Sequence, residues 1–180
     1  MRSSAVLTIL SSVLAAASYV PHAPRAVTAE SIVNATALGV DVFGPIPNDA
    51  VKLGEGHYQA EPGTKAWAWI RAQADLPVDE SQPEKRQQYA NMGVGLYIGD
   101  LCTGQAVWWD NIFYGYRYWS TVNMFSVGIR SRSLRSNEKI DFSRGDGVDY
   151  CATYLYTIAS GTPVGCFNSQ LVNCFRLTMT

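Results

Sequence analysis

His57, in Gly54-Glu55-Gly56-His57-Tyr58, is the one imidazole outside the N-terminal leader, because the other histidine, His22, lies within it. Glu55 stands two residues before His57; on a strand the two share a face and have the makings of an acid–base pair for a small hydrolase. No serine lies in a Gly-x-Ser-x-Gly elbow to serve as nucleophile, and one histidine cannot build a His-rich metal centre. The plainer reading makes His57 a solvated loop residue. Paired carboxylates are the other hydrolytic option, since glycoside hydrolysis needs only two facing acids. Asp100, Asp110, Asp141, Asp146 and Asp149 are available, but each adjoins a turn signal, where Asp serves by hydrogen-bonding the backbone. Asp141, Asp146-Gly147 and Asp149 hint at a calcium loop without the spacing of an EF-hand. Arg144-Gly145-Asp146 matches the tripeptide of integrin ligands, although a Gly-containing hairpin turn accounts for it more economically.

Aromatic residues form the denser pattern. Tyr89, Tyr97, Trp108, Trp109, Phe113, Tyr114, Tyr116, Tyr118 and Trp119 put nine rings within thirty-one residues. If Phe113–Trp119 is extended, Tyr114, Tyr116 and Tyr118 project from one face, and Phe113, Arg117 and Trp119 from the other. A row of flat rings outside the core, with Asp110, Asn111 and Arg117 nearby, is what stacking on sugars or gripping a protein requires. The candidate ligand-binding set is therefore Tyr114, Tyr116, Tyr118, Trp119 and Arg117. The structural alternative puts both rows in the core or makes the tyrosines ordinary cross-strand pairs. Arg130, Arg132 and Arg135 form either an added anion-binding strip or a solvated sheet face.

Four cysteines, Cys102, Cys151, Cys166 and Cys174, are spaced by 49, 15 and 8 residues, without the paired C-x-x-C of a zinc site. Two disulfides are expected, in any of about three connectivities. The favoured pairing is Cys102–Cys151 with Cys166–Cys174, because Asn168-Ser169-Gln170 reads as a reversal between the last two. Oxidation fits the N-terminus: Met1-Arg2-Ser3-Ser4 precedes an apolar run from Ala5 to Val20, the pattern of a secretory signal peptide. The run is too short to span a bilayer. Cleavage after Ala15-Ala16-Ala17-Ser18 leaves a short pro-segment; cleavage after Val27-Thr28-Ala29 removes it. Asn34-Ala35-Thr36 is the one glycosylation sequon, making Asn34 the candidate glycan site.

The elements that must position these groups are predicted to be mainly β. The 180 residues are 47% hydrophobic, 12% aromatic and 16% charged, which excludes a disordered chain, a coiled coil and a highly charged nucleic-acid binder. The formal net charge of -1 gives no long-range field for phosphate or anionic-lipid partners, so neither nucleic acid nor membrane is expected. Nothing suggests a cofactor, a haem or a metal. After residues 1–29, the leader, residues 30–90 form a lead-in with one or two short helices. One is expected at Ala66–Ala74, where alanine content and the Trp67, Ile70, Ala74 spacing favour a helix over the strand its alternation also suits, and another from Ser81 to Ala90, with a strand again the alternative. Residues 91–180 form the β-rich, disulfide-bonded part of the same domain. Gly93–Gly99 and Gln105–Trp109 alternate; Phe125, Val127 and Ile129 share a parity; and Tyr150, Tyr154 and Tyr156 share a face opposite Thr153, Leu155 and Thr157. Short alternating strands between turn signals predict an antiparallel β-sandwich or barrel. Charge is split along the chain, with a net of -6 over residues 30–110 and +3 over 111–180.

The segments Ser131-Arg132-Ser133-Leu134-Arg135-Ser136-Asn137-Glu138, Asp149-Tyr150-Cys151 and Asn173-Cys174-Phe175-Arg176-Leu177 give the C-terminal half a layout similar to small, secreted, four-cysteine proteins of filamentous fungi. That resemblance implies an extracellular location and, for some members, an effector role toward a host; it carries no site. The expected function is a secreted, non-enzymatic interaction protein that binds a host protein or cell-wall polysaccharide through an aromatic face. The alternatives are a small secreted hydrolase using carboxylates or Glu55 and His57, and a barrel whose aromatic interior holds an apolar small molecule.

Overall fold

The structure, a computed structural model, describes residues 29–77, 89–130, 132–162 and 165–180. Residues 1–28 of the expected leader and 81–88 of the expected second helix lie outside the described residues. The elements are α1 (Glu30–Ala37), β1 (Val51–Gly54), β2 (His57–Ala60), α2 (Lys65–Gln73), β3 (Gly93–Tyr97), β4 (Ala106–Trp109), β5 (Arg117–Arg130), β6 (Glu138–Arg144), β7 (Thr153–Ile158) and β8 (Gly165–Met179). The eight strands form one antiparallel sheet in the order β1-β2-β4-β3-β5-β8-β6-β7. The protein is mainly β and sandwich-like, and the sheet does not close into a barrel. No helix among the described residues is long and apolar enough to cross a membrane.

The sandwich character comes from coiling. Strands β4 and β8 are separated by β3 and β5, so a flat sheet would hold them about 14 Å apart. Yet the rings of Trp109 on β4 and Phe175 on β8 meet with centroids 5.2 Å apart. The long strands β5 and β8 carry the bend, with register irregularities between Trp119 and Ser126. Bulges of this kind increase local twist and let one strand serve two layers. The first residues of β5 lie with the end of β8, β6 and β7; the last residues of β5 lie with β3 and β4. The concave side is filled by Val94, Leu96, Ile129, Phe142 and Phe175, with Trp109 packed edge-on against Tyr118.

Helix α2 covers the opposite face, as its composition predicts. Thr64 caps it by accepting from the Trp67 N–H at 3.1 Å, and the Asp49 carboxylate accepts from Lys65 and Ala66 N–H groups at 2.8 Å each. Its buried residues are Ala66, Ala68, Trp69, Ile70, Ala72 and Gln73, the apolar ones packed in one cluster with Tyr97 and Trp108 of the sheet. Glycine in β3 makes room for these rings: a Cβ at Gly93 would stand 2.3 Å from the Trp108 ring.

Behind the hairpin side of the sheet, Arg132 and Glu138 form a buried, two-pronged ion pair. The guanidinium donates to the two carboxylate oxygens at 2.6 and 2.7 Å and to the Ala90 carbonyl at 2.7 and 3.1 Å. The Tyr114 hydroxyl and the Arg135 N–H donate to the same carboxylate. Arg132 is thus committed to structure, and Arg130 lies over the Trp69 ring at 5.3 Å, so the two do not line up as an anion-binding strip.

Both disulfides contradict the favoured pairing. Cys102 bonds Cys166 and Cys151 bonds Cys174. The reason is geometric: residues 165–179 form one strand rather than a reversal at Asn168–Gln170. Eight residues of strand span roughly 25 Å, whereas a disulfide needs Cα atoms within about 7 Å. Each bridge instead ties β8 to a turn elsewhere, the first to the turn Asp100–Cys102 and the second to the turn before β7.

Candidate functional site

The strongest site candidate is built on the outward face of β5, β8, β6 and β7. Strand pairing sets Arg117 beside Arg176, Arg176 beside Asp141 and Asp141 beside Thr157, a polar row across four strands. Two residues along, on the same face, Trp119 pairs with Cys174, Cys174 with Ser143 and Ser143 with Tyr154. All of these but Trp119, with Lys139 and Cys151, line a cleft of about 380 Å³; Trp119 stands beside it as the register partner of Cys174.

At one rim Trp119 and Tyr150 stack with centroids 4.3 Å apart and an interplanar angle of 1°. Trp119 is 45% exposed and Tyr150 39%, so the flat pair is open to solvent. The chain around Tyr150 explains the placement. Its predecessor Asp149 accepts from Arg117 at 3.2 Å, and its successor Cys151 is bonded to Cys174 on β8. The Asp149 carboxylate also accepts from the Cys151 N–H, and Asp146 accepts from the Val148 and Asp149 N–H groups. These turns consume two of the three carboxylates that hinted at a calcium loop, Asp146 and Asp149. At the other rim Tyr154, 62% exposed, shares a hydrogen bond with Thr157, which donates to Asp141 at 2.6 Å. Asp141 lies further from its cationic neighbours, 3.8 Å from Lys139 and 3.9 Å from Arg176.

The expected ligand-binding residues separate. Gly115 adopts φ 81° and β5 begins only at Arg117, so Phe113–Trp119 is not one extended strand. Tyr114 turns to Glu138; burial and that carboxylate push its phenol up to about 12. Tyr118 packs inward on Phe175 at 5.1 Å and accepts from the Phe113 N–H, and burial raises its pKa. Tyr116 remains outside, 59% exposed, in a run of rings with Phe113 and Tyr89. Of the set only Arg117 lines the cleft, and Trp119 stands beside it as the register partner of Cys174.

His57 is not a solvated loop residue. It opens β2 and stacks on Trp109 with centroids 4.7 Å apart, half-buried, its Nε2 without a hydrogen-bond partner. Burial lowers its pKa. Glu55 is exposed in the turn before β2, and no hydrogen bond joins the two among the described residues. Asp110 accepts from the Trp108 indole at 2.8 Å, and burial raises its pKa. Asp141 departs from the expectation of a turn-serving aspartate, because it stands within β6. Asn34 is exposed on α1.

Sequence reading missed Tyr150, Tyr154, Lys139 and Arg176 as site residues, and weighed Asp141 only as a turn, hydrolytic or calcium carboxylate. A signal existed for one of them: Arg176 is two residues from Cys174 and so shares its face on any strand. A bulge at Phe142–Ser143 sets Tyr156 against Phe142 and Tyr154 against Ser143, so Tyr156 stacks inward at 5.0 Å while Tyr154 faces the cleft. That overturns the shared face expected for the two tyrosines.

The fold and cleft define a mainly β, disulfide-bonded chain with an aromatic-rimmed polar groove. No protein-family model, curated protein or solved structure matches it.

Proposed function

We propose that this is a secreted interaction protein that binds a polysaccharide on the outward face of β5, β8, β6 and β7. The exposed, parallel-stacked Trp119–Tyr150 pair, with an outer ring face left free beside a polar cleft, is the observation that carries the reading. Flat rings take the apolar face of a sugar ring, and Asp141, Thr157 and the arginines offer acceptors and donors for its hydroxyls. The signal-peptide pattern, the Asn34 sequon and two disulfides support export, and the layout shared with small secreted fungal proteins supports an effector role toward a host. The test is isothermal titration of the mature protein with soluble cell-wall polysaccharides. Binding that Trp119→Ala weakens at least tenfold, with both disulfides and the melting temperature retained, supports the reading; no binding to any polysaccharide refutes it. A host-protein contact is the second reading, favoured by the exposed Tyr89 and Tyr116 rings, joined through the partly buried Phe113. A pull-down that Tyr116→Ala abolishes would support it.

A further inference from the structure

We propose that the cleft selects acidic polysaccharides, a uronate carboxylate seating between Arg117 and Arg176 while its own or a neighbouring sugar ring lies on an outer face of the stacked Trp119–Tyr150 pair. This rests on the polysaccharide-binding reading and names the ligand class. Arg117 and Arg176 are direct register partners. Like charges directly opposite on adjacent strands are unfavourable unless something offsets them. The offset within the chain is incomplete. Arg117 has Asp149 at 3.2 Å, both more than half exposed, while Arg176 and Lys139 share the single carboxylate of Asp141 at 3.9 and 3.8 Å. The cleft lining carries Arg117, Lys139 and Arg176 against Asp141, a formal net of +2, and it stays positive when Asp149 is added. An anion therefore completes what the protein leaves unfinished, and guanidinium groups suit a planar carboxylate.

Charge alone would admit any polyanion; the ring platform narrows the class. Trp119 lies two residues beyond Arg117 on the same face of β5, about 7 Å along the strand. The row from Arg117 to Thr157 crosses three inter-strand steps, roughly 14 Å, room for a short oligosaccharide rather than one sugar. A chain that offers both flat ring faces and carboxylates is a polyuronide. Disulfide Cys151–Cys174 forms part of the cleft wall and keeps the platform and the cations in one frame.

The experiment titrates the mature, disulfide-bonded protein with oligogalacturonate, its full methyl ester, a neutral β-glucan oligosaccharide and dextran sulfate. Oligogalacturonate is expected to bind at least tenfold tighter than its ester. Arg176→Gln and Arg117→Gln should each lose fivefold or more toward the acid and little toward the ester. Asp141→Asn, which removes the competing carboxylate, should tighten binding of the acid severalfold, an effect that mere structural damage would not produce. Equal, Trp119-dependent binding of acid, ester and neutral glucan overturns the acidic selectivity and leaves the polysaccharide reading standing. Dextran sulfate binding as tightly as oligogalacturonate, and unaffected by Trp119→Ala, overturns it in favour of a general polyanion strip. No binding by any of the four refutes both.

Discussion

Replacing Arg132 with Met isolates the energetics of the buried ion pair. Glu138 is 2% exposed, and its carboxylate is held by Arg132 at both oxygens, by the Tyr114 hydroxyl and by the Arg135 N–H. Methionine fills much of the volume but leaves the carboxylate without a cation and removes the donors from the Ala90 carbonyl. Breaking one side of a buried pair costs about 3–5 kcal/mol. In a domain of this size each kcal/mol moves the melting temperature by about 2–4 °C, so the expected drop at pH 7 is about 6–20 °C. Its pH dependence is the diagnostic part. Burial pushes the Glu138 carboxyl up, but its bonds from Arg132, Tyr114 and Arg135 outweigh that and hold it below the usual carboxylate range. A carboxyl depressed in the folded state contributes stability above its unfolded pKa and loses it as pH falls through the folded value. Without Arg132 burial dominates, the folded pKa rises, and the variant loses stability as pH rises through it. The gap between wild type and Arg132→Met should therefore be widest near pH 7 and shrink below about pH 4. Adding Glu138→Gln, which removes the charge and keeps an acceptor for Tyr114, should recover part of the loss. Thermal unfolding by circular dichroism from pH 3 to 7 is the assay. A gap under about 1 kcal/mol at pH 7, or one that stays constant with pH, would refute the reasoning.

Non-reducing peptide mapping should recover Cys102 joined to Cys166 and Cys151 joined to Cys174. By loop-closure entropy, removing them by paired serine substitution should cost about 4 and about 3.5 kcal/mol in chemical denaturation. The Cys151→Ser/Cys174→Ser variant should also lose polysaccharide affinity, because the segment carrying Tyr150 then keeps no covalent link to β8 and is held to β5 only by ring stacking and the exposed Arg117–Asp149 pair. Gly93→Ala should destabilise by about 1–3 kcal/mol, read as a lower denaturation midpoint, since the new Cβ meets the Trp108 ring. His57→Phe keeps a ring on Trp109 and removes a buried nitrogen without a partner. As the folded pKa of His57 is lowered, wild-type stability should fall as pH drops below about 6.5, and the variant should flatten that slope in melting curves taken between pH 7 and 5.

Alternation was legible where a strand is regular and short. Gly93–Gly99 and Gln105–Trp109 read correctly because β3 and β4 pair without interruption, and the helical reading of α2 over a strand holds because its apolar spacing and alanine content agree with the fold. Parity failed at its interruptions. Gly115 with φ 81° uncouples Tyr114 and Tyr116 from β5, so the tyrosines that looked like one row have three different surroundings. At β7 the bulge puts Tyr154 and Tyr156 on opposite faces, although two residues separate them. In both cases one residue's backbone geometry changes what every later side chain faces, and period-two counting has no means to register it.

The cleft was illegible for a different reason. Arg117, Asp141, Tyr150 and Arg176 are spread over sixty residues of sequence, and only the pairing of β5 with β8 and of β8 with β6 makes them neighbours. Cysteine arithmetic points toward that pairing only if the chain runs straight through Asn168-Ser169-Gln170, a loop-like run that reads as a reversal but lies within β8. Once Cys166 and Cys174 lie on one strand they must bond outward, and the partner of Cys174 must then sit on the same face as Arg176. That partner is Cys151, so Tyr150 and Asp149 arrive beside Trp119 and Arg117 as a consequence of the bridge. The disulfide that the favoured pairing missed is therefore the covalent link that assembles the proposed binding platform.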